Sequence, residues 1–419
     1  MVRYILFEDQ NSADLLPLVL WRSVFELNGG RICQMDRIAR RLGQHPSGLW
    51  AREWIAKVAA HRCQLPVNQP VDGQCVLVNG RWSARRNLDI QAAPSAGVCG
   101  DSLVYVALDD AFARRWSPET LLGEDRWREA LSGVPTHEID VGLFRYPWDF
   151  VTRNADVLRR DWSTADCAID GTVSTSAFLL RPDAIHVGEG SVIKPCAVLD
   201  AEQGPIYVSC NVTVEPHACI SGPAYIGPGT IIKPHAVISG GTSIGPACRI
   251  GGEVNQCIIS GYTHKEHEGY LGRSYVGNWV DIGPGTANTD IKSTYGHIRV
   301  WYGSRTLDTG LSACGAVIAD HVRIGTNQKI PNGAVIGFAA SAASGQFLPK
   351  FLPSFGWFTD SGLSSGDPER LLATARLAMA SRNVDLSDME AELFRLLPSL
   401  AARFEEQDIR SGPTPPVLE

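Results

Sequence analysis

The sequence has no apolar run that approaches the ~20 residues that a helix needs to span a bilayer. Its opening, "MVRYILFEDQ", also lacks the apolar core and cleavage site of a secretory signal. Cysteine pairs of the CxxC type are absent, and the eleven cysteines are scattered singly. Such a set indicates reduced thiols and excludes a disulfide framework or a zinc cluster. We therefore expect a cytoplasmic protein with no membrane partner.

A surplus of basic residues is absent as well. The formal net charge is −7, so the chain has no excess of cations with which to neutralise nucleic-acid phosphates. Hydrophobic residues make up 44% of the chain and charged residues 20%, which is typical of a globular protein. At 419 residues the chain is too long for one ordinary core, and two or three domains are expected.

An aliphatic residue returns at every sixth position through the middle of the chain. The uninterrupted series is Val208, Val214, Ile220, Ile226, Ile232, Ile238, Ile244 and Ile250. A period of six fits neither the 3.6 of a helix nor the 2 of a plain strand. It fits a coil with short straight faces that each send one aliphatic side chain inward, with Gly, Pro and Asn at the turns. The pattern predicts a hexapeptide-repeat parallel β-helix.

The repeat divides the chain into four predicted segments. Residues 1–165 show no six-residue period, and short apolar strands alternate there with helical stretches, which favours an α/β domain. Residues 166–184 are expected to be a linker, and residues 185–340 the β-helix. Residues 341–419 are expected to form an extended segment followed by C-terminal helices.

Two helix starts in the last segment carry local signals. Asp367 precedes Pro368, a combination typical of a capped first turn. Ser387 and Glu390 have the spacing of a capping box before a second amphipathic stretch.

The stretch "GYTHKEHEGYLG" at 261–272 differs from the small and apolar residues around it, and the aliphatic register is expected to break there. His267 is a side chain able to accept a proton near neutral pH, as acyl transfer from a thioester to an amine requires. Tyr270 is a candidate to orient a phosphate or the amine, and Lys265 to neutralise a phosphate. A solvated insertion loop accounts for the same residues equally well.

The stretch resembles the acetyltransferase half of the GlmU family. The family motif H-x-x-Y-L-G is matched by His267, Tyr270, Leu271 and Gly272, and "YVGNWVDIGPGTANTD" follows as the next repeat motif. The resemblance implies that His267 is the general base and that Tyr270 contacts the sugar phosphate. It also implies a left-handed β-helix and a homotrimer with its sites between neighbouring subunits.

Three positions of this chain depart from that family. Lys233 stands where the family has an arginine that holds the nucleotide-sugar phosphate, and a lysine offers no bidentate fork. Asp281 replaces an asparagine that meets the substrate amine. Pro284 replaces a small residue between glycines and has no N–H to offer an oxyanion. These changes imply slower transfer or a different acceptor sugar.

A wider resemblance covers nearly the whole chain. The motifs "ILFED", "LLPL", "WRSVFEL", "YPWD", "GPIY", "GGEVN" and "PSFGW" are similar to those of a divergent bacterial GlmU family. That family joins a sugar nucleotidyltransferase domain to the hexapeptide-repeat domain. The resemblance implies acetyl-CoA as cosubstrate, glucosamine-1-phosphate as acceptor, UTP with Mg²⁺ in the front domain, and UDP-N-acetylglucosamine as product.

The front domain lacks the G-x-G-T-R loop that holds the triphosphate in ordinary sugar nucleotidyltransferases. The polar residues nearest the matched motifs are Glu8, Asp9, Arg22, Glu26 and Asn79. Arg22 and Asn79 are candidates for nucleotide binding, and Asp9 is a candidate Mg²⁺ ligand. Ordinary polar residues at strand ends are the alternative for each.

The sequence leaves other functions open. The front domain is either active or vestigial, in which case the protein is an acyltransferase only. A non-catalytic scaffold that binds a sugar nucleotide is a further alternative, favoured by Asp281 and Pro284. The last is a metalloenzyme like the γ-carbonic anhydrases, because His217 and His235 are spaced to stack on successive coils; no third ligand is evident.

Overall fold

The structure, a computed structural model, describes residues 2–71, 73–123, 126–163, 166–302 and 305–405. Contacts divide the chain into two compact units. The first unit contains residues 1–28 and 32–147, and the second contains residues 29–31 and 148–419.

A mixed β-sheet forms the centre of the first unit. Its strands, in spatial order, are Gly48–Trp50, Arg3–Phe7, Cys75–Asn79, Ser102–Leu108, Ser95–Cys99 and Thr136–Glu138. The helices are α1 (Gln34–Leu42), α2 (Glu53–Cys63), α3 (Asp110–Ala113), α4 (Pro118–Leu122) and α5 (Arg126–Ala130), with 3₁₀ turns at Gln10–Leu15 and Val24–Glu26. Short strands lie at Asn28–Gly29 and Ile32–Cys33. The α/β architecture predicted for the front of the chain is confirmed.

The strand Arg3–Phe7 is parallel to both of its neighbours, Gly48–Trp50 and Cys75–Asn79. Its apolar residues are buried with those of the adjacent strands, so Phe7 and Leu77 have no exposed surface. Glu8 and Asp9 follow the strand Arg3–Phe7, and Asn79 is the last residue of its own strand. Because the strands run the same way, these three polar residues meet at one edge of the sheet. That edge holds the candidates of the front domain.

The second unit begins with α6 (Pro147–Asp161) and continues as a parallel β-solenoid with three faces. Face 1 consists of Ile185–Val187, Ile206–Val208, Ala224–Ile226, Thr242–Ile244, Ile258–Ile259, Tyr275–Val276, Val317–Ile318, Val335–Ile336 and Phe351–Leu352. Face 2 consists of Thr172–Val173, Val192–Ile193, Thr213–Val214, Ile231–Ile232, Arg249–Ile250, His264–Lys265, Asp281–Ile282, Arg323–Ile324, Ser341–Ala343, Gly356–Thr359 and the antiparallel Gly362–Ser365.

Face 3 consists of Phe178–Leu180, Val198–Asp200, Cys219–Ser221, Val237–Ile238, Glu253–Asn255 and Tyr270–Gly272, and Ala287–Asn288 pairs with Lys329–Ile330 in a separate ladder. A hairpin of Arg299–Tyr302 and Arg305–Asp308 projects from the coil. We call the turns that connect face 2 to face 3, including 233–236 and 266–269, the site edge.

The inward residues confirm the six-residue period. Every member of the uninterrupted series from Val208 to Ile250 is fully buried, in one core that extends along the solenoid. Each coil hydrogen-bonds to the coils before and after it, as a repeat fold requires.

The solenoid is longer than the segment predicted for it. Thr172–Val173 and Phe178–Leu180 already pair with the next coil, so the predicted linker at 166–184 contains the first rungs. At the other end, Ser341–Ala343 and Gly356–Thr359 continue face 2 beyond residue 340. Outward polar residues and irregular spacing hide these rungs from a purely aliphatic pattern.

Two helices close the described chain, α7 (Pro368–Ala380) and α8 (Asp388–Glu405). The side chain of Asp367 accepts hydrogen bonds from the first turn of α7, and Ser387 and Glu390 form the predicted capping box before α8. Residues 406–419, the end of the predicted last segment, lie outside the described residues. Among the described helices, none combines the length and apolarity needed to cross a bilayer.

Candidate functional site

The stretch 261–272 does not interrupt the solenoid, so it is not an insertion loop, although the aliphatic six-residue register does break around it. His264–Lys265 pairs with Arg249–Ile250 on face 2, and Tyr270–Gly272 pairs with Glu253–Asn255 on face 3. Lys265 takes the inward position that its neighbours on the ladder, Ile250 and Ile282, fill with aliphatic side chains. The stacking of coils therefore continues, with a lysine in place of an inward aliphatic residue.

Lys265 is buried inside the coil and is only 2% exposed. Its ammonium donates hydrogen bonds to the carbonyl oxygens of Gly251, at 2.9 Å, and His267, at 2.8 Å. Burial lowers the pKa of Lys265 from 10.5 to about 8. The role predicted for Lys265, neutralising a substrate phosphate, is not supported, because its nitrogen is committed to backbone carbonyls beneath the surface.

A short turn one coil earlier makes room for this ammonium. The site edge passes from Ile250 to Val254 through Gly251 and Gly252, two residues fewer than in the hexads before it. A Cβ atom on Gly252 would lie 2.8 Å from both the His267 carbonyl oxygen and the Lys265 nitrogen. Glycine is required here, since the two turns of the site edge touch through backbone atoms and Gly252 also has a positive φ of 68°.

His267 presents its side chain to solvent from a turn whose backbone is held from below. The residue is exposed, while its carbonyl oxygen accepts the hydrogen bond from Lys265. The adjacent Glu266 forms an ion pair of 2.9 Å with Lys233 from an earlier turn of the same edge. Lys233 and His267, both predicted as site residues, therefore lie on one edge, although the charge of Lys233 is shared with Glu266.

The next turn of the site edge contains Pro284. The N–H of Gly285 donates to the carbonyl oxygen of Glu268 at 3.2 Å, and the N–H of Thr286 donates to Gly283 at 3.3 Å. The amides on the C-terminal side of Pro284 are thus engaged within the coil. The oxyanion of a tetrahedral intermediate at this edge would therefore need another hydrogen-bond donor. This agrees with the sequence, in which Pro284 has no N–H to offer.

Tyr270 lies on face 3, in a small hydrogen-bonded group. Its hydroxyl donates to Asp290 Oδ2 at 2.8 Å, and the guanidinium of Arg273 donates to the same oxygen at 2.5 Å. Burial, and then the hydrogen bond to Asp290, raise the pKa of Tyr270 to about 12. The phenol is therefore neutral at physiological pH. Sequence reasoning missed Asp290 and Arg273, because nothing in the sequence links them to Tyr270.

Asp281 lies on the outward side of face 2, next to His264 on the neighbouring rung. Asp281 is exposed, whereas His264 is half-buried and contacts the guanidinium of Arg382 through Nε2. Burial, and then the charge of Arg382, lower the pKa of His264. The predicted solenoid residues are therefore distributed around one edge: Lys233 and His267 on it, Asp281 and Tyr270 on the two adjoining faces, and Lys265 inside.

In the first unit, Asp9 is buried against Arg81. Both carboxylate oxygens accept hydrogen bonds from the guanidinium, at 2.8 and 2.5 Å, and Asn79 donates to Oδ2 at 2.9 Å. Burial alone would raise the pKa of Asp9, but the charge and hydrogen bonds of Arg81 lower it below its ordinary value. The carboxylate is fully occupied by this pair, so these residues do not fit Mg²⁺ and the metal role predicted for Asp9 is not supported.

The other candidates of the front domain are held in a similar way. Glu8 accepts two hydrogen bonds of 2.9 Å from the guanidinium of Arg52, and Asn79 donates to Asp9 and to the Leu103 carbonyl oxygen. The backbone carbonyl of Arg22 accepts a hydrogen bond from Arg52. Arg52 and Arg81 were not singled out from the sequence, since they follow separate strands and only the sheet brings them to the carboxylates.

The stacked histidines predicted from their spacing are present. The rings of His217 and His235 are parallel, with centroids 5.0 Å apart, on successive turns of the site edge. Within the described residues no group of three His, Cys, Asp or Glu side chains is arranged to hold a metal ion. The pair does not form a carbonic-anhydrase-like centre by itself.

One family model matches the front of the chain. Residues 4–167 match the family model described as sugar nucleotidyl transferase. This region of the chain is thus similar to sugar nucleotidyl transferases, while the more specific GlmU resemblance stays a prediction. No curated protein matches the chain significantly.

Some solved structures are similar to about half of the chain. The UDP-N-acetylglucosamine acyltransferase of Francisella novicida is 17% identical, with 49% of this chain and 70% of that chain covered and a TM-score of 0.29. A mutant of AntD, an N-acyltransferase from Bacillus cereus in complex with dTDP and coenzyme A, is 11% identical, with 49% and 86% covered and a TM-score of 0.17. At these scores the likeness does not bear on the function of this chain.

Proposed function

We propose that the protein is a sugar-nucleotide-related transferase whose solenoid moves an acetyl group from acetyl-CoA to the amine of glucosamine-1-phosphate or a related amino-sugar phosphate. The observation that carries the proposal is the exposed imidazole of His267 on a turn pinned by the buried Lys265. A repeat fold does not need a charged residue in its core, and this one holds a potential base in place.

The chemistry assigns one proton transfer to His267. The substrate amine attacks the thioester carbonyl, a C–N bond forms, and the imidazole accepts the proton that the amine loses. The tetrahedral intermediate then expels the thiolate, the C–S bond breaks, and the thiolate takes up a proton to leave as free coenzyme A. Tyr270 and Lys233 are the proposed contacts of the sugar phosphate, and Asp281 of the amine.

The front domain supports the choice of substrate class. Its similarity to sugar nucleotidyl transferases makes a sugar phosphate the natural acceptor for an acyl transfer in the same chain. The rigid turn of His267 supports the choice of base, since a general base must hold its position relative to the amine.

Release of the coenzyme A thiol from acetyl-CoA, with glucosamine-1-phosphate and other amino-sugar phosphates as acceptors, tests the proposal. We expect His267→Asn to lower kcat by about a hundredfold or more, because general-base catalysis contributes that much. His217→Asn is the matched control: it removes an imidazole from the same edge and should leave kcat unchanged. Equal rates for His267→Asn and wild type would remove the proposed base and favour a sugar-nucleotide-binding scaffold.

Uridylyl transfer by the front domain is the second candidate function, favoured by the family match at 4–167. The buried pairs of Asp9 with Arg81 and Glu8 with Arg52 oppose it, because they leave these carboxylates no room for a metal. The assay is release of pyrophosphate from UTP, Mg²⁺ and N-acetylglucosamine-1-phosphate. Pyrophosphate would establish an active front domain, whereas its absence would indicate a vestigial one.

We also propose that the solenoid forms a homotrimer around the site edge. Exposed apolar side chains flank that edge, among them Val192 on face 2 and Phe178 and Val237 on face 3. Sedimentation velocity should give a trimer for the wild type and a smaller species for Val237→Glu. Leu377→Glu, which places the same charge at an exposed leucine of α7, is the control and should remain a trimer. A monomeric wild type would exclude a site shared between subunits.

A further inference from the structure

The outward side of face 2 carries a ladder of charged side chains on successive rungs. Arg249, His264, Asp281 and Arg323 occupy equivalent positions on neighbouring strands, which lie about 4.8 Å apart in such sheets. Arg382, which follows α7, contacts Nε2 of His264. We call these five residues the basic ladder.

The arginines of the basic ladder are not engaged in direct ion pairs within the described residues. In the described parts of the chain, none of Arg249, Arg323 and Arg382 forms an ion pair with a carboxylate, although Arg273 pairs with Asp290 and Arg395 with Glu369 elsewhere in this unit. Arg249 has a buried Nε without a hydrogen-bond partner. A buried N–H of a charged group costs free energy when it has no hydrogen-bond partner, so this nitrogen is a candidate donor to a bound ligand.

The remaining contacts offset only part of the charge. Arg323 donates to the carbonyl oxygen of Trp279 at 3.0 Å, which uses one nitrogen and no negative charge. Glu266, the nearest carboxylate at the edge, is paired with Lys233. Asp281 lies between His264 and Arg323, whereas the end of the ladder formed by Arg249 and Arg382 places two guanidinium groups beside a single carboxylate, Glu266, that already pairs with Lys233.

We propose that this end of the basic ladder binds a phosphate group of a substrate. The planar guanidinium matches the geometry of phosphate oxygens and donates two parallel hydrogen bonds, and two such groups on different elements can hold one phosphate. The ladder adjoins the site edge, since His264 and His267 belong to one coil. The inference rests on the proposed function for the identity of the ligand: the phosphate belongs either to the amino-sugar phosphate or to coenzyme A.

Isothermal titration calorimetry of the full chain at low salt tests the site. The probes are inorganic phosphate, glucosamine-1-phosphate, coenzyme A and dephospho-coenzyme A. We expect Arg249→Gln and Arg382→Gln each to weaken one of the organic ligands by about tenfold or more. Loss of affinity for glucosamine-1-phosphate alone assigns the site to the acceptor. Loss for coenzyme A but not for dephospho-coenzyme A assigns it to the 3′-phosphate of the donor.

Arg376→Gln is the matched control, because it removes an equal charge from an exposed position of α7. Wild-type affinity for every probe in Arg249→Gln and Arg382→Gln, or equal weakening in Arg376→Gln, would overturn the inference. Thermal unfolding of each variant guards against a loss of fold.

The binding measurement separates this inference from the proposed function. Phosphate binding that depends on Arg249 and Arg382 in a protein without acyl transfer would uphold the ladder and reject the proposed function. Acyl transfer with unchanged KM values in both variants would uphold the proposed function and reject phosphate binding by the basic ladder.

Discussion

The Lys265 ammonium donates a 2.8 Å hydrogen bond to the His267 carbonyl oxygen, and so joins the core of the solenoid to its exposed edge. The second hydrogen bond, to Gly251, ties the same nitrogen to the preceding coil. Lys265 occupies an inward position that is aliphatic in the neighbouring coils. Its hydrogen bond therefore helps to position the turn that carries the outward imidazole of His267.

Replacing Lys265 with methionine should separate stability from activity. The change removes the cost of burying an ammonium but leaves the carbonyl oxygens of Gly251 and His267 without their donor; we expect the two effects to offset each other and the melting temperature to change little. The turn of His267 loses its anchor, and kcat for acyl transfer should fall by about tenfold or more, as small misplacements of catalytic groups do.

Ile250→Met is the control for Lys265→Met, since it introduces methionine into the same inward column without removing a hydrogen bond. It should cost less than about 1.5 kcal/mol of stability and leave kcat unchanged. A Lys265→Met protein with wild-type kcat would show that the anchor has no functional role.

Tyr270→Phe should weaken both local stability and acceptor binding. The substitution removes the hydrogen bond to Asp290, which is worth about 1–2 kcal/mol in the free energy of unfolding. If the hydroxyl also contacts the sugar phosphate, KM for glucosamine-1-phosphate rises while KM for acetyl-CoA stays the same. Urea unfolding and steady-state kinetics measure the two effects. Tyr295→Phe, at an exposed tyrosine, should change neither.

Asp9→Asn should destabilise the first unit irrespective of Mg²⁺. Breaking a buried ion pair leaves the Arg81 guanidinium without its counter-charge, which costs about 3–5 kcal/mol. Urea unfolding with and without magnesium chloride checks this. If magnesium raised the unfolding midpoint of the wild type but not that of Asp9→Asn, the carboxylate would after all be a metal ligand.

The end of α8 should be less firmly held at higher pH. The carboxylate of Glu405 accepts hydrogen bonds from the N–H and hydroxyl of Ser354 at 2.9 and 2.6 Å. Burial raises the pKa of Glu405 from 4.5 to about 7, so the folded protein binds this proton more tightly than the unfolded chain. The contribution to stability is complete below pH 4.5 and is lost as the pH rises towards 7.

Hydrogen exchange along α8 at pH 5 and pH 8, corrected for intrinsic rates, measures this dependence. Glu405→Gln should remove it, while Glu202→Gln, at an exposed position of the solenoid, should retain it. Equal protection of wild-type α8 at both pH values would contradict the titration of Glu405.

Local sequence rules predicted much of the fold. Each coil contacts only its neighbours, so the six-residue period alone indicates a solenoid. The caps at Asp367 and Ser387 were readable for the same reason, because a cap and its partners lie within four residues. The first rungs of the solenoid, at 166–184, could not be predicted in this way, since the pairing of Thr172–Val173 depends on a strand about twenty residues later.

By itself, the sequence determined the architecture and the presence of an imidazole at the edge of the solenoid. Only the tertiary structure decided which charges face inward and which are already paired. Lys265 looked like a surface cation because nothing local reveals that the carbonyl oxygens of Gly251 and His267 converge on it. Asp9 looked like a metal ligand because Arg81 reaches it only through the sheet. The free energy of a buried charge depends on partners that are distant in sequence, and those partners exist only in the folded chain.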